Sequence, residues 1–233
     1  MSKRLLLKLS GEVISGDKNF GISPKVLNRI VSEIVQLKKQ NYEIAVVIGG
    51  GNIYRGSKLI KEMNFPDYKS HHMGMIGTVI NGLALETAIR KKGVKAQNYS
   101  AFTVEGITSR FDVEKARDRI GDTVLIFTGG TGNPFFSTDS AAALRAAEIE
   151  ADLLLKATKV DGVYSEDPEK NPEAEFFKNI SYSEYIRRDL QVMDSSSVLI
   201  CKENQIPIYV FNINKKNNLN LVLNDNTHYT LIN

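Results

Sequence analysis

Lys8-Leu9-Ser10-Gly11 sets a cation, a hydroxyl and a glycine at the end of an apolar run, and two later runs end in a related way. Glu43 to Ile48 leads into Gly49-Gly50-Gly51-Asn52, with Arg55-Gly56 close behind. Val124 to Phe127 leads into Thr128-Gly129-Gly130-Thr131-Gly132-Asn133-Pro134-Phe135-Phe136-Ser137-Thr138-Asp139, and then into an alanine-rich stretch. Glycines let a backbone come close to a ligand, while Thr131, Ser137 and Thr138 add hydroxyl donors. A helix expected from Asp139 adds free N–H groups and a partial positive charge. Such loops suit phosphate. The plainer alternatives are a Gly-Pro turn with Thr138 or Asp139 as an ordinary N-cap, and an edge-strand Lys8 facing water.

The elements that must carry these loops alternate. Arg4 to Leu9 reads as a strand, Ser23-Pro24 as the start of a helix with Val26, Ile30, Ile34 and Leu37 on one stripe, and Glu43 to Ile48 as a strand. The β-branched character of that second strand is that of a parallel sheet covered on both faces, and such sheets bind ligands at their strands' C-terminal ends. Met73 to Lys92 is helical in period, with Met75 in the core or a subunit interface; Gly74, Gly77 and Gly82 point to close packing on another backbone. Val94 to Asn98 is a short strand, Asp112 caps a helix to Ile120, and Ala151 to Leu155 is another buried strand. The segment from Lys156 to Pro168 is too polar for a core: it is either a surface turn or a holder of a nucleotide's base and phosphates. Ser181 with Glu184 forms a capping box, Asp194 caps a further helix, and Ile206 to Phe211 is a late strand. Residues 1–233 are expected to form one domain.

Composition narrows the function classes. A net charge of +3 is too small to signal nucleic acid, and no apolar run reaches the roughly 20 residues of a membrane span. The single Cys201 excludes an internal disulfide framework and fits a reducing cytoplasm. Three histidines at 71, 72 and 228 make no metal-ligand spacing. There is no G-x-x-x-x-G-K-[ST], no G-x-G-x-x-G after the first strand and no G-x-S-x-G elbow. Transfer between bound phosphates remains, a reaction that needs two phosphates held in line and their charge neutralised.

Five blocks in order carry a resemblance: Lys8 to Glu12, Gly49 to Gly56, His72-Met73-Gly74-Met75, Gly130 to Asp139, and Lys156 to Tyr164, followed by Val192-Met193-Asp194. Together they resemble the bacterial UMP kinases of the amino acid kinase family, over about Lys3 to Ile232. The resemblance implies a three-layer αβα sandwich on a mainly parallel sheet and transfer from ATP-Mg to UMP, with Mg²⁺ carried by ATP. It further implies a homohexamer and GTP or UTP as effectors. By position, Lys8, Leu9, Ser10 and Gly11 line the ATP phosphates with Gly51 and Arg55 at the junction. Thr158, Tyr164 and Asp167 contact the ATP nucleoside. Gly50 and the run Thr131, Gly132, Asn133, Pro134, Phe135, Phe136, Ser137 and Thr138 hold UMP. Lys8, Asp139 and Arg55 form the catalytic set, Asp139 orienting the active-site lysines. One departure stands out: where the family has an aspartate on the UMP ribose, this chain has His71, which is kept as a substrate residue. A carboxylate or carbamate kinase of the same fold has no need of the Asn-Pro-Phe-Phe loop, and a nucleotide sensor has no need of Lys8, Arg55 and Asp139.

Overall fold

The computed structural model describes residues 3–18, 20–54 and 66–233. Strands β1 (Arg4–Leu9), β2 (Glu43–Ile48), β3 (Ala96–Ser100), β4 (Ser109–Arg110), β5 (Val124–Thr128), β6 (Leu153–Thr158), β9 (Asn179–Ile180), β10 (Ile208–Asn212) and β11 (Thr230–Ile232) form one sheet. Its order is β4-β3-β5-β2-β1-β6-β10-β11-β9, parallel except where β11 meets β10. A separate hairpin pairs β7 (Val163–Tyr164) with β8 (Phe176–Phe177). The mainly parallel sheet and two helical layers match the fold class expected from the sequence.

Alternation along the strands divides the core. Leu5, Leu7 and Leu9 of β1 face one layer, made by α1 (Gly11–Ser15), α2 (Pro24–Lys39), α3 (Asp67–Lys91) and α8 (Asn218–Leu223). Leu6 faces the other, made by α4 (Val113–Arg119), α5 (Thr138–Glu148), α6 (Tyr182–Arg187) and α7 (Ser195–Glu203). Helix α2 starts on Pro24 and buries Leu27, Ile30, Val31, Ile34 and Leu37, each worth roughly 1.5–3 kcal/mol of burial. On the same helix the buried Glu33 accepts N–H bonds from Asn217 (3.2 Å) and Leu219 (3.0 Å), which satisfies the start of α8 and fastens the asparagine-rich tail. Burial raises the pKa of Glu33 despite those bonds.

Several local expectations hold and a few shift. Asp112 and Ser181 accept from the Lys115 and Glu184 N–H groups as N-caps, and Cys201 is buried inside α7. Asp194 stands at the N-cap position of α7, but its carboxylate makes no cap bond and is used elsewhere. β3 and β10 each begin two residues later than the apolar runs suggested, because pairing with β5 and β6 sets their limits. The larger correction concerns the polar segment after Leu155. β6 continues through Thr158, so Lys156 and Ala157 lie inside the sheet despite the segment's polarity. Among the described residues no helix is long and apolar enough to cross a membrane.

Candidate active site

Two strands with the same local sequence build the charged centre. Leu5-Leu6-Leu7-Lys8 of β1 lies beside Leu153-Leu154-Leu155-Lys156 of β6 in register, so Lys8 is the direct neighbour of Lys156. Period-two alternation turns both lysines toward the layer that contains α5. There they meet Asp139, in the first turn of that helix. Lys8 Nζ is 2.8 Å from Asp139 Oδ1, and Lys156 Nζ donates to Oδ1 at 2.5 Å and Oδ2 at 2.6 Å. All three side chains are buried.

Burial works against the Asp139 carboxylate, yet the ammonium groups of Lys8 and Lys156 outweigh it and hold the pKa below the ordinary value. Burial also lowers Lys156, as does the neighbouring Lys8, and Asp139 only partly restores it, to about 8. The centre thus holds two cations against one anion, a surplus positive charge in a place of low dielectric. That surplus suits a transferring phosphoryl group.

The glycine loops close around this centre. At Gly11 an added Cβ would stand 2.9 Å from both Gly49 O and Gly51 N, so the ends of β1 and β2 touch through backbone. Ser10 Oγ accepts from Glu12 N–H at 3.3 Å and starts α1. Gly50 lies against α3, where a Cβ would come within 2.4 Å of Gly74 O. Gly77 makes the same close backbone approach, its added Cβ 3.2 Å from Gly50 O, whereas Gly82 is crowded by the side chains of Thr128 and Asn98 rather than by another backbone. Gly74 differs from expectation: an added Cβ there would meet nothing, because this residue borders open space in a cleft.

That first cleft, of about 410 Å³, is lined by Gly50, Gly51, His71, Asn133, Phe136 and Thr138 among others. His71 does reach it, its ring 5.0 Å from that of Phe135. Met75 also lines it and is buried, whereas its neighbours Met73, Ile76 and Ile80 are exposed on the outer side of α3. The β5–α5 loop is shaped by Gly129, Gly130 and Gly132 at positive φ and by Phe135 at φ 70°. Thr131 Oγ1 accepts from Asn133 N–H and donates to Asn133 O, both at 3.2 Å, so its hydroxyl holds the loop together just before Pro134. Ser137 is the N-cap of α5: its Oγ accepts from the N–H groups of Asp139 and Ser140 and donates to Asp194.

A second cleft of about 440 Å³ lies beyond β6, lined by Val160, Gly162, Tyr164, Asp167, Leu190 and Val192 among others. Tyr164 stands edge-on to Phe176 with ring centroids 5.2 Å apart. Thr158 is at the end of β6, where its Oγ1 accepts from Val160 N–H at 3.2 Å and begins the chain's turn toward this cleft. Both volumes are in the usual range for small-molecule sites, roughly 300–1,000 Å³. The charged trio joins them along the chain, since Thr138 before Asp139 lines the first cleft and Val160 beyond Lys156 lines the second.

Most of the residues singled out in the sequence gather here. Leu9 is one exception, since its side chain is in the core on the other face and its carbonyl accepts from Gly49 N–H. Arg55 and Gly56 lie outside the described residues. Lys156 was missed as a partner of Lys8, although the repeated Leu-Leu-Leu-Lys was a visible signal for it. Thr78 and Asn81 carried no signal, being polar residues inside a helix, and Asn52 was read only as a member of its glycine loop.

Comparison with known proteins gives the same direction. The model of the amino acid kinase family matches residues 3–212. Uridylate kinase of Colwellia psychrerythraea is 48% identical over 231 residues, covering 99% of this chain and 93% of that protein. Among solved structures, UMP kinase from Ureaplasma parvum superposes with a TM-score of 0.93 at 36% identity, covering 100% of this chain and 99% of that one. UMP kinase from Bacillus anthracis gives a TM-score of 0.94 at 31% identity, with 99% and 96% covered.

Proposed function

This chain belongs to the amino acid kinase family, and from that premise we propose how its clefts and buried charges divide the work of one phosphoryl transfer. The reaction is ATP-dependent phosphorylation of UMP to UDP. UMP occupies the first cleft, against Gly50, His71 and the loop from Thr131 to Thr138. The ATP nucleoside occupies the second, against Tyr164 and Asp167 with Thr158 beside them. The ATP phosphates run from there over Ser10, Gly11 and Gly51 to the two buried lysines. Arg55 is assigned to the same junction on the resemblance alone.

The observation that carries this reading is the pair of buried lysines on one carboxylate, with Thr138 next to Asp139 lining one cleft and Val160 beyond the strand of Lys156 lining the other. A phosphoryl group in flight spreads charge over its equatorial oxygens, and preorganised ammonium groups stabilise that charge without having to reorient. Asp139 orients the lysines and is not a general base: its oxygens already accept from both. No base is needed, because the second ionisation of a phosphate monoester lies near pH ~6 and the UMP oxygen arrives as an anion.

ATP chemistry calls for a divalent metal. Mg²⁺ keeps much of its water shell and is commonly held through phosphates with one or two carboxylates. Here the buried carboxylate is committed to two lysines, a donor set that fits a metal brought in on the ATP phosphates rather than one caged by protein. When bound, the ion neutralises charge on the donor phosphates.

Release of ADP from ATP and magnesium, followed with UMP, CMP and glutamate as acceptors, tests the assignment. Turnover with UMP far above the other two is expected. Equal turnover with glutamate would overturn the acceptor site.

We also assign a homo-oligomer, the hexamer implied by the resemblance. Its support is the exposed stripe of Met73, Ile76 and Ile80 on α3, apolar side chains at helical spacing on one face. Ile76→Glu combined with Ile80→Glu should place charges at that contact and shift sedimentation to a smaller species. An unchanged sedimentation coefficient would remove α3 from the interface.

A further inference from the structure

Helix α3 does more on its inner face than fill space. Thr78 and Asn81 lie one turn apart there and are almost wholly buried. Thr78 Oγ1 accepts from Gly129 N–H at 2.7 Å and donates to Met75 O at 2.6 Å. Asn81 Nδ2 donates to Gly49 O at 2.7 Å and to Asn52 Oδ1 at 2.7 Å, while its Oδ1 accepts from Asn52 Nδ2 at 3.0 Å. One helix therefore holds the backbone of both glycine loops, the one after β2 and the one after β5.

Glycine loops need such support. A glycine has more conformational freedom to lose than any other residue and no side chain to be locked by packing. Catalysis by positioning is steep in distance, with about 1 Å of misplacement able to cost on the order of 10²-fold in rate. We propose that Thr78 and Asn81 are positioning residues for the phosphoryl transfer: Thr78 sets the acceptor loop through Gly129, and Asn81 sets the junction loop through Gly49 and Asn52. The inference rests on the kinase reading for its substrates. Thr78 borders the first cleft, but its hydroxyl is used in both directions by Gly129 and Met75, so it acts through the loop rather than on the ligand.

The two bonds separate in kinetics. Thr78→Val keeps the shape and removes the acceptor for Gly129 N–H, so the KM for UMP should rise about tenfold while the KM for ATP changes less than twofold; Thr78→Ser should restore it. Asn81→Ala should lower kcat about tenfold or more, because the junction loop serves both substrates. Amide hydrogen exchange on the unliganded protein gives an independent readout: the Gly129 amide should exchange faster in Thr78→Val, and the Gly50 and Gly51 amides in Asn81→Ala, with β1 and β6 unchanged. Faster exchange with unchanged KM and kcat would make these bonds merely structural, and unchanged loop exchange would overturn the bracing itself. If the parent protein forms no UDP, the kinase reading is at fault and the exchange result alone decides the bracing.

Discussion

Lys8→Ala should lower kcat by on the order of 10² or more with UMP binding nearly unchanged, since it removes a charge aimed at the transferring group. Lys8 is buried beside Asp139 and at the same strand level as Lys156, where water does not replace a lost ammonium easily. The variant should also leave a mark in pH. Burial is the larger cause of the lowered Lys156 pKa and Lys8 the next, so removing Lys8 should move that pKa upward from about 8. In the parent, kcat/KM for ATP should fall as pH rises through that region and Lys156 loses its proton; in Lys8→Ala the fall should begin at higher pH. Titration of kcat/KM with pH for both proteins checks the pair of effects. Unchanged turnover would remove Lys8 from the reaction, and an unmoved alkaline limb would separate it from Lys156.

Asp139→Asn should cost both rate and stability. It leaves two buried ammonium groups without their anion, a change of the kind that destabilises by about 3–5 kcal/mol, or roughly 10 °C in Tm for a chain of this size. The loss should be pH-dependent with a definite sign. Without Asp139 the folded-state pKa of Lys156 should drop further below about 8, so over the interval between the two values the folded variant has lost a proton that the parent keeps, and its stability rises with pH. The deficit against the parent should therefore shrink as pH rises toward about 8 and level off above it, where Lys156 is neutral in both folded proteins. A thermal melt series across that range checks it, and a deficit that does not change with pH would mean that Asp139 holds the helix end rather than the lysines. Rate should fall on the order of 10² as the lysines lose their common anchor.

How much of this was legible in the sequence depends on whether the signal was local. Lys8, the glycine loops and the helix expected from Asp139 are short-range patterns, and they were readable because strand and turn chemistry act within a few residues, although the cap proved to be Ser137 and the helix begins at Thr138. Lys156 was hidden by its neighbours: Thr158, Lys159 and Asp161 made the segment read as a surface turn or a nucleotide-holding loop rather than a strand, while pairing with β1 and β10 drew its first residues into the sheet. The employment of Asp194 was equally out of reach. Its position before α7 was correct, but its carboxylate goes to Ser137 at the head of α5, a contact fixed by how two helices pack. Thr78 and Asn81 illustrate the same limit, since a hydrogen bond from a helix to a distant glycine has no sequence period. Gly74 shows the reverse case, a glycine whose neighbourhood was misjudged because two others in the same helix really are crowded.

The placement of β1 between β2 and β6 has a consequence for biosynthesis. β2 follows soon after β1, but β6 is reached only after β5 and α5, so one edge of the first strand waits for a distant part of the chain. Pairings of such long sequence separation form late, because the loop must be closed before the contacts repay it. A nascent chain that has emerged only through α5 owns one ammonium and its carboxylate, and lacks the second cation. Competence to phosphorylate thus arrives together with closure of the sheet, and half-made polypeptides on the ribosome hold no finished catalyst.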